Sequence, residues 1–299
     1  MKTGINQLVY KDIERLETIA EEVSADFKIE KRKISYIMAY ALEKKSLLDN
    51  EMEDVTDMAE LWSSEEPPNN LYFSHGQYRV GGLEHIATEL KRKPTSNRAL
   101  YSLLNQELIS GSGDHPIPSF VTFQTILEGN TLFCTVYFRV IEVSTFLRIN
   151  LEEIRLNILA LIDDGVNFDK VNLAIFSANA HCSDYQDPLT KPKLDILDCY
   201  TIFKCLSDDP RSMAGLLNEK AKKQSVADSR PLSEILKFVK DLPNETNNKN
   251  LMIVLLESSI QKSDKISQVR KMKSHDSTLK GLSEELKNEL KKLAEAFES

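Results

Sequence analysis

Between Pro118 and Glu142 the chain reads PSFVTFQTILEGNTLFCTVYFRVIE, two β-rich stretches divided by Gly129-Asn130. Val, Phe, Thr and Tyr suit a pleated, half-buried surface, and a Gly-Asn pair accepts the positive φ of a tight turn. The block predicts a β-hairpin, which makes the centre of the chain part sheet.

Other elements assemble around that hairpin. KVNLAIFSAN (residues 170–179) reads as a further strand, and the apolar run at 99–104 as a short buried one. Residues 148–163 carry helical spacing, as do 83–92, which Pro94 stops. The centre therefore mixes helices with a mostly antiparallel sheet. Residues 5–47 also read as helical. Ile13, Leu16, Ile19, Ala20 and Val23 form one apolar set, and Ile34, Ile37, Met38 and Leu42 a second. An acidic stretch follows and ends in the loop SSEEPPNN. Beyond residue 200 the character returns to helix, at 231–240, 250–262 and the tail. In the tail Leu279, Leu282, Leu286, Leu290, Leu293 and Phe297 share one stripe. Such a stripe packs on its own domain or makes a short coiled-coil contact with a protein partner. The expected division is a helical N-terminal extension (1–70), a mixed core (71–200) and a helical C-terminal region (201–299).

Composition narrows the function classes. The 299 residues carry a formal charge of −8 with no strongly basic region, which argues against duplex nucleic acid as main partner. No apolar run approaches membrane-spanning length, and the first residues lack the apolar stretch of a signal peptide, so a cytoplasmic protein is expected. Cys134, Cys182, Cys199 and Cys205 form no CxxC pair and no zinc-ligand spacing. They are read as four free, mostly buried thiols, and no metal site is expected.

Three segments carry a joint spacing. LKRKPTSNRALYSLLN (90–105) places Pro94, Ser96, Arg98 and Asn105; the hairpin block places Pro118, Ser119, Gln124, Gly129, Tyr137 and Arg139. Asn150 stands eleven positions after Arg139, which itself follows Ser119 by twenty. In this order and spacing the chain resembles thymidylate synthase and its nucleotide-hydroxymethylase relatives over roughly residues 75–195, about 40% of its length. A weaker match, NLAIFSANAHCSDYQD, places His181 at the family's ribose-binding histidine. The tyrosine of that pair is replaced by Ser183, and Tyr185 is out of register.

The resemblance implies an α+β fold, a thymidylate-synthase-like mixed sheet layered with helices, here with helical N- and C-terminal extensions. It implies a homodimer packed sheet against sheet. It implies a substrate site formed by Arg98, Arg139, Asn150, Gln124 and His181. In the family, an arginine pair at the Asn97-Arg98 position reaches the nucleotide phosphate of the other subunit, and the asparagine at Asn150 reads the pyrimidine edge. The departures are chemical. Ser119 stands where the family has its cysteine nucleophile, and Phe120 where it has a histidine. A thiolate adds readily to the ring, whereas a serine hydroxyl needs an adjacent base, which Phe120 cannot supply. The family's Arg-Thr-Gly loop and Glu-Leu-x-Trp helix are missing, and the lone Trp62 lies in an acidic ELWSS context that fits the latter poorly.

Residue chemistry leaves two readings open at several positions. Arg139 grips a phosphate with parallel hydrogen bonds or pairs with an acid. Asn150 reads a uracil-like edge or caps the following helix. His75, His85, His115 and His181 are acid–base groups or surface residues, with His181 also a sugar contact. HGQYRVGG (75–82) reads as a turn rather than a phosphate loop. The function expected is a catalytically degenerate member, a pseudoenzyme, that binds a pyrimidine nucleotide or another small phosphate ligand for sensing or regulation. It would need no cofactor. The alternatives are an active C5 methyltransferase or hydroxymethylase with an unusual nucleophile, which would use folate, and a ligand-free scaffold.

Overall fold

A computed structural model describes residues 8–111, 117–183, 189–223, 226–272 and 278–298. These fall into two compact units, one built from 8–68, 73–111 and 117–183, the other from 69–72 and 189–298.

The first unit contains, in chain order, β1 (Lys11–Asp12), α1 (Glu17–Asp26), β2 (Arg32–Glu43), α2 (Lys44–Asp49), α3 (Glu53–Ser63), α4 (Gly76–Arg79), α5 (Gly82–Arg92), β3 (Leu100–Ser102), α6 (Gln106–Gly111), β4 (Phe120–Glu128), β5 (Thr131–Glu142), α7 (Phe146–Asp163) and β6 (Lys170–His181). The fold is α+β, with one six-stranded mixed sheet in the order β1-β2-β6-β5-β4-β3. β4 and β5 form the expected hairpin, closed at Gly129, whose φ of 58° lies in the left-handed region. β5 then connects through α7 to β6, which pairs with it in parallel. A parallel neighbour needs such a crossover. β2 pairs with β6 in the antiparallel sense.

The strand β2 corrects the helical reading of residues 5–47; only α1 is helical there before residue 44. The spacing of Ile34, Ile37, Met38 and Leu42 suits a helix, but the residues that enter the core are Met38, Tyr40 and Leu42, at period two. Ile34, beside Ser35 at φ 55°, and Ile37, on the opposite face, are both exposed. The N-terminal segment therefore contributes a sheet strand rather than a helical extension. α3 is a second addition, for the acidic stretch before SSEEPPNN is a helix that buries Thr56, Ala59 and Trp62.

One face of the sheet meets the helices. Leu132, Cys134, Val136 and Phe138 of β5 and Val171, Leu173 and Ile175 of β6 join α1, α5 and α7 in one core. On the opposite face the register aligns Ile37, Phe176, Tyr137 and Thr122 across four strands. Ile37 and Tyr137 are exposed there.

The second unit is helical: α8 (Lys193–Ile196), α9 (Cys199–Asp208), α10 (Pro210–Lys222), α11 (Arg230–Asp241), α12 (Lys249–Met272) and α13 (Thr278–Glu298). Leu286, Leu290, Leu293 and Phe297 are buried in its core, with Leu279 and Leu282 partly buried against it. A buried Lys220–Asp195 ion pair, 2.5 Å long, ties α10 to α8, and Asp195 also accepts from Tyr72 Oη at 3.4 Å. All four cysteines are unpaired, but only Cys134 is buried; Cys199 is exposed and the other two are half-buried, which corrects the mostly buried reading. Among the described residues no helix is long and apolar enough to cross a membrane.

Candidate functional site

The C-terminal ends of the parallel strands β5 and β6 lie side by side, with Glu142 opposite His181. The hairpin brings the start of β4 to the same end. Arg139 N–H donates to the Ser119 carbonyl at 2.8 Å. The carboxyl ends of parallel strands are where ligands of open α/β sheets gather.

Arg139 is half-buried. Its Nε donates to the Pro118 carbonyl at 3.1 Å and its Nη2 to the Ile117 carbonyl at 3.2 Å. Both acceptors are neutral, and no carboxylate pairs with this guanidinium among the described residues. Burial depresses its pKa from the ordinary arginine value. Among the described residues the acid-pairing alternative is not realised.

Glu142 organises the turn from β5 into α7. Burial acts to raise its pKa, but donors from Ser144, Thr145 and Ser183 outweigh it and hold the carboxyl below the usual range. Thr145 N–H lies 2.8 Å from Oε2, and Ser183 N–H 3.2 Å from Oε1. The carboxylate also stands at the N-terminus of α7, where the helix dipole favours negative charge. Its bond to Ser183 draws the end of β6, with His181, toward the start of α7.

Asn150 lies one turn inside α7, whose N-cap is Thr145, so the capping role is excluded. It is 2% exposed, and its Oδ1 has no hydrogen-bond partner among the described residues. Phe146, Asn150, Glu153 and Asn157 follow at helical spacing and share a stripe. Phe146 packs on Trp62 at 5.5 Å between ring centroids. Glu153 accepts from His75 Nδ1 at 2.7 Å, both side chains being 1% exposed. Asn157 accepts from Arg79 Nη1 at 2.6 Å and donates to Tyr101 Oη at 3.1 Å. HGQYR is therefore a short helix start, not merely a turn, and presents His75 and Arg79 to α7.

Asn150 is on the helix side of the sheet, whereas Arg139, two positions after Tyr137, is on the opposite face. Ser119, Arg139 and His181 are at one end of the sheet. Gln124 and Arg98 are not. Gln124 lies five residues along β4, about 17 Å from Ser119 at strand rise, and donates to the Asn97 carbonyl at 3.2 Å. Arg98 is exposed on the turn before β3, and its carbonyl accepts from His85 Nε2 at 2.9 Å. Neighbouring Ala99 accepts from Thr125 N–H, which sets this turn about 20 Å from Ser119. His115 and Tyr185 lie outside the described residues. Glu153 has no local sequence cue, for its partner His75 is 78 positions away. The four-membered stripe on α7 is the signal that could have found it.

The helical unit offers a different feature, an open groove of about 490 Å³ between α9 and α11 with Ile202, Phe203, Leu206 and Phe238 along it. Its rim charges Lys237 and Glu234 pair with each other at 2.7 Å.

No protein-family model matches the chain, and no curated protein matches its sequence.

Proposed function

We propose that the first unit is a catalytically degenerate thymidylate-synthase-like module that binds a pyrimidine nucleotide, or a similar small phosphate ligand, in a sensing or regulatory role. The observation that carries this reading is Arg139. Among the described residues it is a half-buried guanidinium with only carbonyl acceptors, beside Ser119 and at the sheet end that also holds His181. A nucleotide phosphate would supply the missing counter-charge through charge-assisted bonds. Phe120, fully buried, gives Ser119 no base, which supports a binding rather than a methyl-transferring role.

Titration calorimetry with dUMP, dCMP and dTMP tests the reading. Binding of at least one is expected, and Arg139→Ala should weaken it about 10- to 100-fold, the loss of a charged hydrogen bond. Absence of heat with all three removes the nucleotide. The scaffold reading then stands, favoured by the packing of Phe120 on His75 at 5.8 Å and of Phe146 on Trp62.

The same reading includes a homodimer through the sheet face that carries Ile37, Phe176 and Tyr137. None of the three belongs to the unit's core. Arg98, distant from Arg139 within its own chain, would act on the second subunit's site. Sedimentation of Ile37→Glu/Tyr137→Glu should show a monomer where the wild type is a dimer, because two charges per subunit would be buried without partners. A monomeric wild type removes this part.

A further inference from the structure

The apolar groove between α9 and α11 has a polar extension. A second space of about 450 Å³ at the starts of the two helices shares Cys199, Ile202 and Glu234 with it, so the two adjoin. Together they follow α9, whose 10 residues measure about 15 Å. Ile202 and Leu206 form the buried floor. Phe203 is 55% exposed and meets Phe238 edge to face at 5.3 Å between ring centroids. Tyr200, one turn before Phe203, is 72% exposed. Aromatic side chains are enriched at the centres of protein interfaces. The charges along the groove are acidic and only partly compensated. Asp195, Asp228 and Glu234 lie in ion pairs with Lys220, Arg230 and Lys237. Asp198 borders only the smaller space and Asp241 only the larger, and neither has a basic partner among the described residues. Asp241 ends α11, where the helix dipole disfavours negative charge, so the helix gains nothing from its carboxylate.

We propose that this groove docks a basic amphipathic helix of a partner protein. The apolar stripe of that helix packs on Phe203 and Phe238, and its Lys or Arg residues, about ten positions apart to match the groove length, meet Asp198 and Asp241. Three features select this occupant. The groove is open along its side, whereas a small-molecule site buries about 70–90% of its ligand. Its length is that of a short helix, and its floor and aromatic wall suit apolar anchors at three- and four-residue spacing. Its two unpaired carboxylates complement positive charge and oppose an acidic partner. A second copy of this chain has no matching helix. Among the described helices long enough to fill the groove, only α12 exposes large apolar side chains besides α9 itself. There Leu251 and Val254 span one turn, and Met272 stands at the far end.

The groove belongs to the helical unit, so this inference stands apart from the nucleotide reading. Its test uses the full chain and two fluorescein-labelled helical peptides of about 14 residues, long enough to span the groove. Both carry leucines at three- and four-residue spacing. One has lysines at the two flanking positions and the other glutamates. Fluorescence anisotropy should show the lysine peptide binding about tenfold more tightly at low salt, with the difference shrinking as salt is added. Phe203→Ala should weaken the lysine peptide about tenfold or more, as for an aromatic at the centre of an interface. Asp198→Asn/Asp241→Asn should weaken it about three- to tenfold and abolish the preference for lysine, the loss of two exposed ion pairs. Asparagine keeps the cap that Asp198 provides to Thr201 N–H, so α9 retains its start. Failure of the lysine peptide to bind overturns the inference. So does equal binding of the two peptides, or binding that Phe203→Ala leaves unchanged. Sedimentation supplies the remaining arm, for a loss of self-association in Tyr200→Ala/Phe203→Ala assigns the groove to a second copy and overturns the partner helix. All four substituted side chains are exposed, so the fold should persist, which far-UV circular dichroism checks. Should a variant unfold, the comparison of the two peptides on the wild-type chain decides.

Discussion

Arg155→Ala is expected to destabilise the first unit by about 3–5 kcal/mol, the cost of stranding a buried carboxylate. Arg155 and Glu152 are 5% and 0% exposed on the inner face of α7. The guanidinium donates from Nε to both Glu152 oxygens at 2.9 Å, from Nη2 to Oε1 at 2.7 Å, and from Nη1 to the Leu47 carbonyl at 3.0 Å. Glu152 also accepts from Thr56 Oγ1 at 3.2 Å. The pair thus fastens α7 to both α2 and α3. Removing the arginine leaves Glu152 in the protein interior with one hydroxyl and one distant amide as its remaining donors. A second variant separates stranded charge from lost packing. Glu152→Leu/Arg155→Met removes both charges and should recover most of the stability, since apolar replacement of an entire buried pair is often neutral. Urea unfolding followed by the fluorescence of Trp62, the only tryptophan, reports this unit specifically. An Arg155→Ala midpoint indistinguishable from wild type would show that the network contributes nothing.

The legible parts of this molecule are those set by short-range chemistry. Gly129 gave away the hairpin because its turn requires positive φ, and the hairpin in turn made the Ser119–Arg139 neighbourhood readable. Twenty residues of separation close across one tight turn. α7 and β6 were readable because their apolar periods are long and uninterrupted. β2 was not, because its exposed apolar residues, Ile34 and Ile37, complete a false helical spacing with Met38 and Leu42. The site divided along the same line. Arg139 lies in the hairpin itself, whereas His181 is brought to the same sheet end by the parallel pairing of β6 with β5. The His75–Glu153 pair joins residues 78 apart and has no local signature. Asn150 read alone suggested a helix cap, whereas α7 starts earlier, at Phe146 after Thr145.

The tail of the chain carries the second large effect. Leu290→Ala is expected to cost the helical unit about 2–5 kcal/mol, through lost apolar burial and the cavity left behind. Leu290 is fully buried, and α13 packs along α10 and α12 with Leu286, Leu293 and Phe297 on the same face. The stripe is therefore committed to its own unit, whose core holds no sheet to compensate for a missing helix. Leu282→Ala, only partly buried, should cost less than half as much. Far-UV circular dichroism should register the loss, while Trp62 fluorescence, confined to the first unit, should keep its wild-type midpoint. The outcome separates two uses of a leucine stripe. A stripe reserved for a partner helix would leave the isolated protein's stability unchanged on truncation and would show its effect only in partner capture. A destabilised helical unit assigns the stripe to folding, and any partner of this unit must then bind through another surface.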